Sequence, residues 1–275
     1  MLSLLFFSAA FAEPLTAKAV ANVPAHELYA SDWGSAGEVE ISVLPQQVAS
    51  PRNMAPTITK LKARALADKN WVSIRLQWDD KAKNDSVQVD EFTDAVAIEF
   101  PLGDPAMANP MMGGANNPVY IAHWKAIWQR DVEDGHTDVQ DYHPNFWSDG
   151  YPFVKGGWPY PVETAFSGSD SMRYLPGTNA GNPISQLDRY RPVEELTAVG
   201  YGTLATQQYQ DADAWGEWKN GVWTVIISVP RVVVDAGNPT FETGNQNIAF
   251  AVWDGGAENV GGRKHWFPFT PMVVQ

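Results

Sequence analysis

Short segments in which apolar and polar residues alternate limit the possible folds of this chain more than any other feature of its sequence. In WVSIRLQW (71–78), every second residue from Val72 to Trp78 is apolar, and the residues between them are polar. The pattern returns in DAVAIEFP (94–101), GVWTVIISVPR (221–231) and NIAFAVWDG (247–255). A period of two residues is typical of a β-strand with one face in a core. These segments therefore predict a sheet protein.

The connections between these segments favour antiparallel sheets. The chain has 22 glycines and 20 prolines, which favour turns over long helices. VYIAHWKAIWQ (119–129) is predicted to be one long strand or two strands joined by a bend. Residues 131–220 are predicted to form a long insertion with one short helix near Pro192–Leu196. The predicted fold class is all-β, an antiparallel β-sandwich with long loop insertions and little helix.

The start of the chain predicts export. Residues 1–12, MLSLLFFSAAFA, are apolar and end in a small-x-small pattern before Glu13, as in a secretory signal peptide. We expect residues 13–37 to be a leader and residues 38–275 to be one domain, located in the periplasm. Spanning a membrane takes about 20 apolar residues, and no stretch of the chain reaches that length, so we expect no membrane span.

Charge and cysteine content exclude several functions. The formal net charge of −13 argues against a nucleic acid partner, because phosphate backbones are bound by basic surfaces. The chain has no cysteine, so it cannot hold an iron–sulfur cluster by thiolates or attach a c-type haem through CxxCH. Any cofactor must be bound by His, Met, Lys, Tyr or carboxylate side chains.

Common catalytic motifs are missing, and three stretches remain as candidate sites. Met112 precedes Gly-Gly in PMMGGANNPVYIAHWKA (110–126), and Lys264 ends the glycine-rich loop of AVWDGGAENVGGRKHWFPF (251–269). Taken alone, such residues more often pack or face solvent. The turn after residue 78 carries Asp79, Asp80 and Asp85. It suits either calcium or a solvated hairpin, and the lack of EF-hand spacing favours the hairpin.

Several segments, in order, carry a family resemblance. They are WVSIRLQWDD (71–80), DAVAIEFP (94–101), MGGANNPVYIAHWKA (112–126), GNPIS with RYRPVEELTAVGYGTL (181–204), WKNGVWTVIISVPR (218–231) and IAFAVWDGGAENVGGRKHWFPF (248–269). From Glu38 to Phe269 the chain resembles the γ subunits of the ethylbenzene dehydrogenase and dimethylsulfide dehydrogenase group. That group includes the matching subunits of chlorate, perchlorate-like and selenate reductases and of nitrite oxidoreductases.

The resemblance implies a β-sandwich with one non-covalent b-type haem and axial Met and Lys ligands. The matching residues are Met112 and Lys264, with Met111 as a competitor for the methionine position. Arg263 has no lone pair to offer, and His265 should point away from Lys264 on an extended chain. With both axial positions filled, iron has no open site, which implies electron transfer and no catalysis by this chain alone.

The resemblance also implies partners. In the family this subunit accompanies a molybdenum catalytic subunit and an iron–sulfur subunit, and exchanges electrons with a soluble periplasmic carrier such as a c-type cytochrome. The insertion at 131–220 is the candidate docking surface. Two alternatives stay open. One is a carbohydrate-binding sandwich without haem, since the chain has 12 tryptophans for stacking on sugars. The other is a cytochrome-like protein that works alone.

Overall fold

The computed structural model describes residues 13–104, 109–137, 139–146, 173–186, 188–232, 237–241 and 244–275. Residues 1–12, predicted to be a signal peptide, lie outside the described residues, as does part of the 131–220 segment. The described strands are β1 (Leu15–Ala19), β2 (Val39–Ser42), β3 (Lys60–Ala67), β4 (Trp71–Asp79), β5 (Ala95–Pro101), β6 (Val119–Lys125), β7 (Val193–Ala198), β8 (Ala205–Thr206), β9 (Asp213–Lys219), β10 (Val222–Pro230), β11 (Gly244–Trp253) and β12 (His265–Val274).

These strands form one continuous sheet. Their order is β8-β7-β6-β5-β11-β12-β1-β3-β4-β10-β9, with β2 paired to β3 beside this path. Every pairing is antiparallel except those of β1, which runs parallel to both β12 and β3. The period-two segments that predicted strands occupy β4, β5, β10 and β11, where one face of each strand lies in the core.

The sheet curls so that its two halves enclose one core. Ile98 and Trp124 come from one half, and Ile74 and Trp223 from the other, in a single buried cluster. The indole rings of Trp124 and Trp223 meet edge to face with their centroids 5.1 Å apart. The predicted all-β fold with little helix is therefore confirmed. Its sandwich is made by one curled sheet.

The N-terminal segment differs from the expected leader. Strand β1 lies inside the sheet, and its Leu15 and Ala17 side chains are fully buried. The chain that follows packs Trp33, itself buried, against the outer face of the sheet beside Ile226. Arg64 Nη1 fastens this segment by donating to the Trp33 and Ala36 carbonyls at 2.9 and 2.8 Å. Residues 13–37 are thus built into the domain, because burying β1 and Trp33 covers apolar surface.

Two predictions about local structure are wrong. The apolar segment 119–129 is neither one strand nor two, because β6 ends at Lys125 and helix α1 (Ala126–Asp134) follows. The helix expected near Pro192–Leu196 is strand β7, and strands β8 and β9 lie in the same supposed insertion. Glu195 can sit fully buried on β7 because its carboxylate accepts hydrogen bonds from the Tyr120 hydroxyl and the Ala212 amide, both at 2.7 Å.

The other helices that can be assigned in the described ranges are short. They include α2 (Val139–Tyr142), α3 (Pro176–Asn179) and short 3-10 helices at Ser31–Ser35, Pro183–Ser185 and Gly255–Ala257. Within the described ranges, no helix combines the length and apolar character that crossing a membrane requires.

Candidate functional site

A cavity of about 570 Å³ lies on the outer face of the sheet, over strands β7, β6, β5 and β11. We call it the large cavity. A neighbouring cavity of about 330 Å³, the small cavity, lies between residues 45–48, the 110–112 loop and Trp266. Met112, Lys264 and Tyr201 line both cavities, so the two spaces adjoin at these side chains.

The floor of the large cavity is built from small side chains. Ala97 on β5 pairs with Ala251 on β11, and Ala95 lies two residues further along the same face of β5. Alternate residues of a strand point to opposite faces, so these alanines face the cavity while Val96 and Ile98 face the main core. They belong to a second buried apolar cluster that also contains Met112, Ile121 and Trp253. This part of the floor is therefore apolar and presents only short side chains to the cavity.

Met112 enters the cavity from the loop between β5 and β6. Its backbone has a φ of 69°, in the left-handed region, and its carbonyl accepts a hydrogen bond from the Gly200 amide at 2.8 Å. Its side chain is 5% exposed, whereas Met111 is 40% exposed and lines only the small cavity. Of the two methionines left open by the sequence, only Met112 lines the large cavity.

Lys264 approaches from the loop between β11 and β12. Tight turns hold its backbone, since the Lys264 amide donates to the Gly262 carbonyl at 3.1 Å. Its ammonium nitrogen lies 5.3 Å from the centroid of the Trp253 ring. Burial lowers the pKa of the Lys264 amine, and the nearby Glu99 carboxylate opposes that change. The structure thus brings both residues named by the resemblance to one cavity, although they are far apart in sequence.

The residues beside Lys264 face elsewhere. His265 is fully buried on the other side of the strand, where its Nε2 accepts hydrogen bonds from the Thr57 and Ile58 amides at 3.0 and 3.3 Å. This orientation is the one expected from the alternation of an extended chain. Neither His265 nor Arg263 lines either cavity.

Two polar residues on the floor of the large cavity were not predicted from the sequence. Glu99 is 8% exposed, and its Oε1 has no hydrogen-bond partner among the described residues. Burial raises the pKa of the Glu99 carboxyl to about 7, against the opposing charge of Lys264. His123 stacks on Trp253 with ring centroids 4.5 Å apart, and its Nε2 also lacks a partner among those residues.

The position of these two residues depends on strand register. Ala97 pairs with His123 and Ala249 pairs with Glu99, which sets both polar groups on the cavity face. The only signal in the sequence is that Glu99 and His123 each interrupt an otherwise apolar strand. Burial, followed by the charges of Lys125 and Lys264, holds the pKa of His123 well below its usual value, so its imidazole is neutral.

Fold and site together define a β-sandwich protein with a large cavity on the outer face of one half-sheet. A family model described as ethylbenzene dehydrogenase matches residues 30–265, which is most of the chain. The chain therefore belongs to the ethylbenzene dehydrogenase family. The match includes Met112, Lys264 and all four strands under the large cavity.

Two named relatives fit this assignment. The proposed heme subunit of a respiratory nitrate reductase from Haloferax mediterranei is 23% identical over 274 residues, covering 94% of this chain and 76% of that protein. The γ subunit of chlorate reductase from Ideonella dechloratans is 30% identical over 112 residues, covering 39% of this chain and 46% of that subunit.

Solved structures give only a loose likeness. A putative carbohydrate-binding protein from Bacteroides uniformis has a TM-score of 0.44 at 9% identity, covering 96% of this chain and 100% of that chain. A family 9 carbohydrate-binding module from Caldicellulosiruptor kristjanssonii, in complex with glucose, has a TM-score of 0.41 at 7% identity, covering 96% of each chain. Both TM-scores are too low to support an argument about function.

Proposed function

We propose that this chain is a non-catalytic electron-transfer subunit that binds one b-type haem in the large cavity, with Met112 and Lys264 as the axial ligands. The observation that carries the proposal is the meeting of these two side chains at one pair of adjoining cavities. Membership of the ethylbenzene dehydrogenase family and the word heme in the name of the Haloferax relative support it.

The cavity suits a flat apolar cofactor. Its volume of about 570 Å³ lies within the range of roughly 300–1,000 Å³ common for cofactor sites. The alanine floor leaves room for a planar ring close to the backbone of β5 and β11, and Trp253 offers an aromatic wall. Without cysteine in the chain, the cofactor would be held by coordination and packing alone.

The chemistry of the two donors also fits. An amine binds a metal only when deprotonated, and burial already lowers the pKa of Lys264 in that direction. A thioether is a soft donor that favours ferrous iron, while an amine is harder, so the pair can serve both oxidation states. When bound, haem supplies a one-electron couple. Two protein ligands leave its iron no position for substrate, hence a relay role for this chain.

The proposed partners are a molybdenum catalytic subunit, an iron–sulfur subunit and a soluble carrier such as a c-type cytochrome, all in the periplasm. Exposed apolar side chains around the mouth of the large cavity support contact with another protein. Val87, Tyr201, Leu204 and Val260 line the cavity and are each more than half exposed. Part of the 131–220 docking surface expected from the sequence lies outside the described residues.

Haem titration of the purified protein tests the ligand assignment. We expect the wild-type protein to take up one equivalent of haem and to give a low-spin spectrum in both oxidation states. Met112→Ala and Lys264→Ala should each remove one strong ligand and shift the spectrum toward high spin. Met111→Ala is the matched control and should keep the wild-type spectrum, because its side chain lies outside the large cavity.

Two results would count against the assignment. A wild-type protein that takes up no haem would contradict the whole function. Equal spectral changes in the Met111 and Met112 variants would contradict the choice of methionine. The partners are tested separately, by purifying the tagged chain from its own cells and measuring molybdenum and iron in the captured complex.

A further inference from the structure

Three aspartates from different parts of the chain converge beside the large cavity. Asp80 follows the end of β4, Asp94 precedes β5, and Asp254 follows the end of β11. One carboxylate oxygen of each lies within 4.8 Å of those of the other two. Asp94 is fully buried and Asp80 is 8% exposed, so Asp80 is not part of the solvated hairpin that the sequence favoured.

The cluster lacks a compensating charge from the protein. In the described part of the chain, no lysine or arginine forms an ion pair with any of the three aspartates. Burial, reinforced by Asp254, raises the pKa of the Asp80 carboxyl to about 6. Burial, reinforced by Asp80, raises that of Asp94 to about 7. Buried carboxylates this close repel one another unless a proton or a cation lies between them.

Two buried side-chain oxygens at the cluster have no hydrogen-bond donor among the described residues. They are Asp80 Oδ2 and Asn84 Oδ1. A β-carbon added to Gly256 would lie 3.2 Å from both Asn84 Oδ1 and Asp254 Oδ1, and the Asn84 backbone amide donates to Asp94, so Asn84 lies beside the cluster. Buried acceptors in native proteins nearly always have a partner, and Asp80 Oδ2 belongs to the aspartate cluster itself.

The other cluster oxygens are oriented by hydrogen bonds. Asp94 Oδ2 accepts from the Trp223 indole at 2.9 Å and from the Asn84 amide at 2.8 Å, and Asp94 Oδ1 accepts from the Gly255 amide at 2.8 Å. Asp254 Oδ2 accepts from the Thr57 hydroxyl at 2.5 Å. These bonds fix the carboxylates in place. Asp94 Oδ2 accepts two of them, whereas Asp94 Oδ1 and Asp254 Oδ2 each accept one and keep a lone pair for another ligand.

We propose that Asp80, Asp94, Asp254 and the amide oxygen of Asn84 form a binding site for a calcium-like divalent cation. All four donors are oxygens, which is the ligand type that hard cations such as Ca²⁺ take, and water can complete the coordination. The site is distinct from Met112 and Lys264 and does not depend on the proposed haem.

The site joins two connections that frame the large cavity. The chain between β4 and β5 supplies Phe92 and Thr93 to the cavity, and the chain between β11 and β12 supplies Val260 and Lys264. A cation held by Asp80, Asp94 and Asp254 would bind these connections to each other. The role of the cation is therefore structural, and its effect can be measured as a change in the stability of the protein.

The full-length protein, treated with EDTA and then given CaCl2 or MgCl2, provides the test. We expect saturating Ca²⁺ to raise the melting temperature by about 5 °C or more, since a ligand that binds only the folded state stabilises it. Tb³⁺, which replaces Ca²⁺ in oxygen sites, should emit when tryptophan is excited, because the Trp223 indole contacts Asp94. Added Ca²⁺ should quench that emission by displacement.

Variants assign the effect to the cluster. Asp80→Asn and Asp254→Asn should abolish both the Ca²⁺-dependent rise in melting temperature and the Tb³⁺ emission. Asp79→Asn, an exposed neighbour on the same turn, should retain both. If Asp80→Asn does not fold, the measurements on the wild-type protein and on Asp254→Asn still test the cation site. The same wild-type melting temperature in EDTA and Ca²⁺, without Tb³⁺ emission, would overturn the proposal in favour of a proton shared by Asp80 and Asp94.

Discussion

The backbone of Met112 adopts a left-handed conformation that non-glycine residues seldom use. Gly113 follows with a φ of 70°, and a β-carbon there would meet the Val119 side chain at 3.1 Å. Two consecutive left-handed residues reverse the chain sharply, and this turn carries Met112 under the loop while leaving Met111 outside. The different exposure of two adjacent methionines is thus a property of the backbone.

His123 makes stability depend on pH. Burial and the charges of Lys125 and Lys264 lower its pKa in the folded state, whereas in the unfolded chain it is near 6.5. Below that pH the unfolded state binds more protons, so stability is lost as the pH falls. We expect His123 to add a slope of up to about 1.4 kcal/mol per pH unit between about pH 6 and 5.

Chemical denaturation of the haem-free protein at several pH values measures this slope. His123→Gln should flatten it, whatever the variant does to stability at neutral pH. His136→Gln is the control, because His136 is exposed and should leave the slope as in the wild type. An unchanged slope in His123→Gln would show that the imidazole takes a proton while folded.

The candidate site was only partly predictable at the level of residues. Met112 and Lys264 were named because the segments around them resemble a family, since a methionine in a loop and a lysine in a loop have no distinctive pattern. Glu99 and His123 reach the cavity through pairing between β5, β6 and β11. Asp94 and Asp254 are 160 residues apart, and only the sheet brings them together.

Among the elements, β5 and β11 determine the shape of the large cavity. Ala97 and Ala251 face each other across the pair, and larger side chains at these positions would project into the space above. We expect Ala97→Leu to weaken haem uptake by at least about tenfold, since overfilling a packed site costs roughly 1–3 kcal/mol. The melting temperature of the haem-free variant should change little, because the new side chain enters a cavity.

Haem titration and thermal melting of the same samples check this expectation. Ala205→Leu on β8 is the control, because it adds the same atoms at an exposed strand position. Wild-type haem affinity in Ala97→Leu would place the cofactor away from the floor of β5 and β11.

Elements were predictable where the residues on one face of a strand are apolar and those on the other face are mostly polar. That condition holds for β4 and β10, where alternation is strong. It fails for the 119–129 segment, since an apolar run without alternation fits a strand or a buried helix equally well. It also fails for β7, where Glu194 and Glu195 suggest a solvated segment although both are buried with hydrogen-bonded partners.

For the whole molecule, β1 is the strand that joins the two halves of the sheet. Leu15 is fully buried in the main core and pairs with Met272 of β12. We expect Leu15→Ala to lower the free energy of unfolding by about 2–5 kcal/mol, the usual range for such a cavity. Urea denaturation measures the change.

Lys18→Ala is the matched control for the same strand. The Lys18 side chain is exposed, and its ammonium donates a hydrogen bond to the Ser35 carbonyl at 3.3 Å. We expect Lys18→Ala to lower the free energy of unfolding by about 0.5 kcal/mol or less. If Leu15→Ala were no more destabilising than Lys18→Ala, residues 13–37 would be a leader after all.

The position of β1 also has a consequence for how the chain reaches its native state. Its neighbours in the sheet are β3 and β12, and the partners of Leu15 and Thr16 are Met272 and Val273 near the other end of the sequence. Contacts between such distant residues form slowly, because closing a long loop must precede them. During synthesis, β1 leaves the ribosome well before β12 and must wait for it. Chaperones and proteases that meet the nascent chain therefore find one edge of β1 unpaired until β12 has been synthesised.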